Sequence, residues 1–183
     1  MSDTYTKELV KFQYELHKQY YSGRKTSISS AKLTVRMPCI PEDISENLIK
    51  FIIHYKLNDP TSTWNCKGDL LSQKNGKQEC KCFTSDGPLS FTPTSDWDEI
   101  YFLDARNWIN DKFVLYRISL KRTSPEWNSI KVNKTQTFED QTKQGRRPRM
   151  GWDLLFPQIS NFCTAIININ SLEDIFIPVE VTE

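Results

Sequence analysis

The chain has 183 residues, 38% of them hydrophobic and 26% charged, a length and balance suited to one domain around a hydrophobic core. Five Trp, seven Tyr and ten Phe exclude a disordered polymer, and no window approaches the run of about 18–20 apolar residues that a membrane helix needs. The formal net charge of +1 by itself says nothing about nucleic acid.

In chain order, the N-terminus MSDTYTKELVKFQ lacks the apolar stretch of a secretory signal, which points to the cytoplasm. The spacing of Leu9, Phe12, Leu16 and Tyr20 predicts a helix from Asp3 to Tyr21, ended by Ser22-Gly23-Arg24 and a polar connection through Ser30. Pro38 and Pro41 bracket a turn. A second helix is expected from Glu42 to Leu57, with Ile44, Leu48, Phe51, Ile52 and Tyr55 on its buried face and Asn58-Asp59-Pro60 as its stop. The period then changes. Gly68 to Ser72 reads as a strand, Lys74-Asn75-Gly76-Lys77 as an Asn-Gly hairpin turn, and Gln78 to Phe83 as the return strand. Ser85-Asp86-Gly87-Pro88 is a turn. Trp97–Asp104 and Lys112–Leu120 are further strands. Residues 121–149 are polar and basic without clear periodicity, Phe156–Ile169 is a helix or a helix–strand pair, and Asp174–Val181 is a closing strand. Helices followed by a run of strands indicate a mixed α/β (α+β) fold, a central mixed sheet flanked by helices in a single domain.

Charge is unevenly placed. Residues 105–149 carry 11 basic and 4 acidic groups, whereas residues 150–183 carry no basic group and five acidic ones. One strongly basic stretch on a neutral scaffold suits a DNA-facing surface, and a plain solvated face accounts for it equally well. The cysteines Cys39, Cys66, Cys80, Cys82 and Cys163 read as reduced thiols; Cys66, Cys80 and Cys82 lack the paired spacing of a structural zinc site. His17 and His54 fall on predicted helices, outside any Ser/His/Asp arrangement, and read as packing or surface residues.

The chemistry concentrates in GDLLSQKNGKQECK. Asp69 starts one strand, and Glu79-Cys80-Lys81 lies on the strand expected to pair with it. Alternation puts Glu79 and Lys81 on one face and Cys80 on the other. A Glu and a Lys on an otherwise apolar strand are costly to bury without a partner. A divalent cation held by Asp69 and Glu79 would be one, and hard oxygen ligands completed by a substrate phosphate describe a Mg²⁺ site. Lys81 would orient or help deprotonate the attacking water. An exposed hairpin with an ordinary Glu–Lys pair is the plainer alternative.

Asp69, followed ten residues later by Glu79-x-Lys81, resembles the PD-(D/E)XK nuclease motif, with Gly68 where the motif has Pro. The resemblance covers about residues 42–120: helix, strand with Asp, hairpin, strand with Glu-x-Lys, and more sheet. It implies a restriction-endonuclease-like fold, Mg²⁺ as cofactor, double-stranded DNA as substrate, and a further acidic residue on the preceding helix, where Glu46 or Glu42 stands. The size of the chain, with its SDGP, YFLD and GRRPR segments, is similar to Type II restriction endonucleases, and among them to small enzymes that cut an interrupted GCNGC site. That likeness implies a homodimer, since a palindromic site offers two equivalent half-sites, and a cognate DNA methyltransferase as functional companion.

Around this core, Ser85 and Asp86 are expected to contact DNA, and Lys121 and Arg122 to follow its backbone together with Trp127, Lys131 and Lys134. Arg146, Arg147 and Arg149, in a loop shaped by Gly145 and Pro148, are candidates for reading guanine or gripping phosphate. The apolar C-terminal residues Phe156, Phe162, Ile166, Ile167, Ile169, Phe176 and Ile177 suit either a dimer face or the core. A repair or junction-resolving nuclease of the same fold and a non-catalytic DNA-binding protein are the competing readings.

Overall fold

The computed structural model describes residues 5–29, 35–65 and 69–179. The expected helix start at Asp3, the strand start at Gly68, Cys66 and the far end of the closing strand at Val181 lie outside them.

Helix α1 (Lys7–Ser29) and helix α2 (Glu42–Lys56) come first. They are followed by β1 (Thr63–Trp64), β2 (Leu70–Ser72), β3 (Gly76–Phe83), β4 (Leu89–Ser90), β5 (Glu99–Asp104) and β6 (Phe113–Ile118). Two short helices, α3 (Pro125–Asn128) and α4 (Phe138–Lys143), precede β7 (Arg149–Met150), α5 (Trp152–Ile159) and β8 (Cys163–Ile169). Six strands form one mixed sheet in the order β1-β2-β3-β5-β6-β8, while β4 and β7 form a separate two-stranded arm. Every pairing in the large sheet is antiparallel except β3 with β5. The expected mixed sheet with flanking helices is what the chain builds.

β5 explains the layering. All six of its residues are buried, and the four apolar ones alternate between two apolar cores. Tyr101 and Leu103 face α1 and α2, where Leu48, Ile49, Ile52, Ile53 and Trp108 pack. Ile100 and Phe102 face Phe91, Trp97, Trp127, Phe138, Trp152 and Leu155. A strand covered on both sides reads as a continuous apolar run, as EIYFLD does. The apolar C-terminal residues divide accordingly. Ile169 and Phe176 are buried in the first core, Ile167 packs against it, Phe156 and Phe162 pack against the second, and Ile166 and Ile177 are exposed.

Several boundaries differ from the sequence expectation. α1 runs through Gly23 to Ser29, because Tyr21 is still docked in the core and Thr26 and Ser27 donate back to the Ser22 and Arg24 carbonyls. The closing strand is replaced over its described part by a single 3₁₀ turn, Glu173–Phe176, which buries Ile175 and Phe176 against α2. The 156–169 segment is a helix–strand pair whose helix starts earlier, at Trp152. Residues 121–149 are ordered. Ser124 accepts the Trp127 N–H at the start of α3, and Thr137 and Asp140 close a reciprocal capping box at α4.

The β2–β3 hairpin carries Asp69, Glu79 and Lys81, so its register matters. Gly76 takes a positive φ of 75°, and a Cβ there would collide with the Asp98 carboxylate. Buried Asp59, just beyond α2, accepts from Ser72 Oγ at 2.6 Å, Asn75 Nδ2 at 2.7 Å and Thr61 Oγ1 at 2.6 Å. Burial pushes the Asp59 carboxyl up, but these donors outweigh it and hold it below the usual range. The turn is thus bolted to the end of α2.

Candidate active site

β3 rises between the two layers, and the cleft forms where it emerges. Leu70 pairs with Gln78, which brings Asp69 beside the Glu79-Cys80-Lys81 run. The Cys80 N–H donates to Asp69 Oδ2 at 2.6 Å, and Lys81 Nζ donates to Glu79 Oε1 at 2.5 Å. Glu79 and Lys81 share a face, as alternation requires, while Cys80 turns into the first core. Glu79 is only 6% exposed.

Asp69, Glu79 and Lys81 lie in a cleft of about 630 Å³. One wall is the segment leading into α2 and its first turns, including Arg36, Glu42 and Glu46. The other is the loop after β3, with Ser85, Ser90, Thr92 and Asp96, and Arg149 from β7. Glu42 and Glu46 both reach the cleft, with Glu42 exposed at its edge and Glu46 one turn deeper and half-buried.

Burial raises the carboxyls of Asp69 and Glu79; Lys81 opposes the rise in both, and the Cys80 N–H opposes it at Asp69. Burial works to strip the Lys81 proton, but Glu79 and Asp69 prevail and hold the ammonium above its ordinary range. Glu46 is pushed up to about 8 by burial, with Asp69, Glu42 and Glu79 adding to it. A carboxyl raised from 4.5 to about 8 lowers stability as the pH climbs through that window, because the unfolded chain releases its proton first. In EDTA at pH 9, Glu46→Gln is therefore expected to melt above the parent protein by about 2–4 °C, a shift of roughly 1 kcal/mol once solvent screening is allowed for. The two melting curves should converge toward pH 5. An equal or lower melting temperature for the variant at pH 9 would count against a strained acidic cluster.

The donor set fits a hard divalent cation. Asp69 Oδ1 and Glu79 Oε2, the oxygens not engaged by Cys80 and Lys81, take no hydrogen bond among the described residues. Among the same residues no group of three or more His, Cys, Asp or Glu forms a ready-made cage. The protein's share would be one or two carboxylates, the number Mg²⁺ takes when water and phosphate complete its shell.

The other expected contacts divide. Ser85 lines the cleft, whereas Asp86 does not; it pairs with Arg106 at 2.8 Å. Lys121 is exposed outside the cleft, 3.4 Å from Asp98. Arg122 corrects the expectation. It is 6% exposed, donates to Asn128 and Thr142, and stacks on Phe138 with its guanidinium 4.6 Å from the ring centroid. That guanidinium is turned inward as an interior brace and not offered to a DNA backbone. Trp127 is likewise a core residue, fully buried against Phe91, Trp97 and Phe138. His17 stacks on Trp108 and His54 Nε2 lies 2.5 Å from the Ser62 carbonyl, so both serve packing.

Arg146, Arg147 and Arg149 are exposed in a loop held at both ends. α4 stops in a Schellman motif, with Gly145 at φ 67°, its N–H on the Thr142 carbonyl, and the Arg146 N–H on the Gln141 carbonyl. The far end is fixed by the Phe91 N–H on the Pro148 carbonyl and the pairing of Arg149 with Ser90. Of the three, Arg149 alone lines the cleft. Arg36, on the opposite wall, was not anticipated; it precedes Pro38 in a stretch with no periodicity to mark it.

Residues 7–155 match the Bsp6I restriction endonuclease family. The chain belongs to that family. A relative, the Type II restriction enzyme Bsp6I of Bacillus sp. (strain RFL6), is 37% identical over 112 residues. That match spans 60% of this chain and 60% of the relative. No solved structure matches the chain. The matched span includes the acid-bearing hairpin, the residues of both cleft walls and the arginine loop. Among the described residues no helix is long and apolar enough to cross a membrane.

Proposed function

We propose that this protein is a Type II restriction endonuclease, hydrolysing phosphodiester bonds at a short specific sequence in double-stranded DNA with Mg²⁺. The observation that carries this reading is the meeting of Asp69, Glu79 and Lys81 in one cleft, with Glu46 facing them, in a chain of the Bsp6I restriction endonuclease family. Asp69 and Glu79 would hold the cation through their open oxygens, and Glu46 is favoured over Glu42 as the further acid because it sits deeper against both. Bound Mg²⁺ supplies charge withdrawal from the phosphate and a lowered water pKa. Lys81, a half-buried cation tethered to Glu79, donates to a phosphate oxygen and steadies the charge that develops there. The hydroxyls of Ser85, Ser90 and Thr92 on the far wall bind the strand and hold it in line.

Cutting both strands of a palindromic site calls for a homodimer, and a host carrying such an enzyme calls for a cognate DNA methyltransferase and a cytoplasmic setting. The competing same-fold reading, a repair or junction-resolving nuclease, shares the acids but not the discrete target. Digestion of a long natural DNA in Mg²⁺ and in EDTA separates them. Discrete bands in Mg²⁺ alone are expected, with their ends giving the sequence. A smear would remove the restriction-enzyme reading, and intact linear, branched and mismatched DNA would remove the nuclease.

A further inference from the structure

The cleft has an electrostatic problem. It is lined by five acidic side chains, Glu42, Glu46, Asp69, Glu79 and Asp96, against the three cations Lys81, Arg36 and Arg149. A polyanion entering it meets repulsion unless cations are free to receive it. Lys81, tethered to Glu79, is taken up by the scissile phosphate, and Asp96 is paired with Lys77. Arg36 and Arg149 are the two lining cations that have no carboxylate partner among the described residues. They stand on opposite walls, one in the segment leading into α2 and the other on β7, where the pairing of Ser90 with Arg149 fixes its backbone.

We infer that Arg36 and Arg149 form a two-walled phosphate clamp, a binding site for the phosphodiesters that flank the scissile one. The inference rests on the nuclease reading for the identity of its ligand. A guanidinium takes two phosphate oxygens in a planar fork, which a point charge cannot do. A fork on each wall holds one strand in register over the carboxylates. The arginine loop is thereby divided by task, with Arg149 gripping backbone inside the cleft and Arg146 and Arg147 left outside it for base edges or outer phosphates.

The test uses Arg36→Ala, Arg36→Lys and Arg149→Ala, with Arg146→Ala as comparator. All three side chains are exposed, so the folded core is untouched and circular dichroism checks it. Duplex binding is followed by fluorescence anisotropy in Ca²⁺ across a salt series, on cleavable and unrelated sequences, together with single-turnover cleavage in Mg²⁺. Arg36→Ala and Arg149→Ala are each expected to weaken both duplexes about tenfold and to reduce the salt slope by about one. Arg36→Lys should restore the slope but not the full cleavage rate. Replacing a flanking phosphate by an uncharged methylphosphonate should cost the parent protein the same factor and cost the matching variant nothing further. Unchanged slopes in both alanine variants, or losses confined to the cleavable duplex, would overturn the clamp while leaving a cutting enzyme in place. If the parent protein binds DNA with these slopes but never cuts, the clamp stands and the nuclease reading falls.

Discussion

Asp69→Asn is expected to lose DNA cleavage about a thousandfold in single-turnover digests with Mg²⁺, the equivalent of roughly 4 kcal/mol of transition-state stabilisation. Asparagine is the informative replacement. Its carbonyl can still accept the Cys80 N–H, which now bonds Asp69 Oδ2 at 2.6 Å, so the hairpin keeps its register. Asp69→Ala would also silence the enzyme, but it strands that N–H in a partly buried position at a cost of about 1–3 kcal/mol, which confuses lost chemistry with lost structure. The parent and Asp69→Asn proteins should therefore melt within a degree or two of each other in EDTA and differ only when the cation and DNA are present. Cleavage by Asp69→Asn within tenfold of the parent would take Asp69 out of the metal site.

The second large effect concerns the basic stretch. Trp127→Ala is expected to destabilise the fold by about 3–5 kcal/mol, read as a shift in the urea midpoint. The indole is fully buried, edge-on to Trp97 with ring centroids 5.1 Å apart, and packed on Phe91 and Phe138. Its Nε1 has no hydrogen-bond partner among the described residues. Trp127→Phe keeps most of the packing and removes an orphaned donor, so it should remain close to parental stability. If residues 121–149 were an arm that orders only on DNA, neither variant would move the midpoint of the free protein.

How much of this was legible varies with the physics of each segment. α2, the hairpin and β6 follow from periodicity because each buries a regular face, β5 follows from its continuous apolar run, and the Asp69, Glu79 and Lys81 set follows from alternation across a turn that Gly76 dictates. The extension of α1 was hidden because Gly23 and the polar residues after it are weak local signals overridden by the docking of Tyr21. In the basic stretch, the dense charges mask the wide spacing of Trp127, Ile130, Val132 and Phe138, which build a quarter of the second core. Two cap signatures mark its helices, Ser124-Pro125 and Thr137 with Asp140 three residues on. Arg122 and Arg149 cannot be told apart by sequence, since burial of one and cleft exposure of the other depend on contacts with Phe138 and Ser90 far along the chain. Arg36 carries no motif at all. Its role comes only from where the wall of the cleft stands.

The bolt between Asp59 and the β2–β3 turn has an evolutionary reading. It anchors the hairpin from behind, so the acids are positioned by residues that do not line the cleft. Both cleft walls arrive from elsewhere, one leading into α2 and the other from the loop after β3 and from β7. On the proposed reading, a lineage can vary the wall residues other than Glu46, Arg36 and Arg149, and with them the preferred target, without retuning the machinery that breaks the bond. Drift at Asp59, Ser72 or Asn75 is the reverse case, since it would cost catalysis at every target alike.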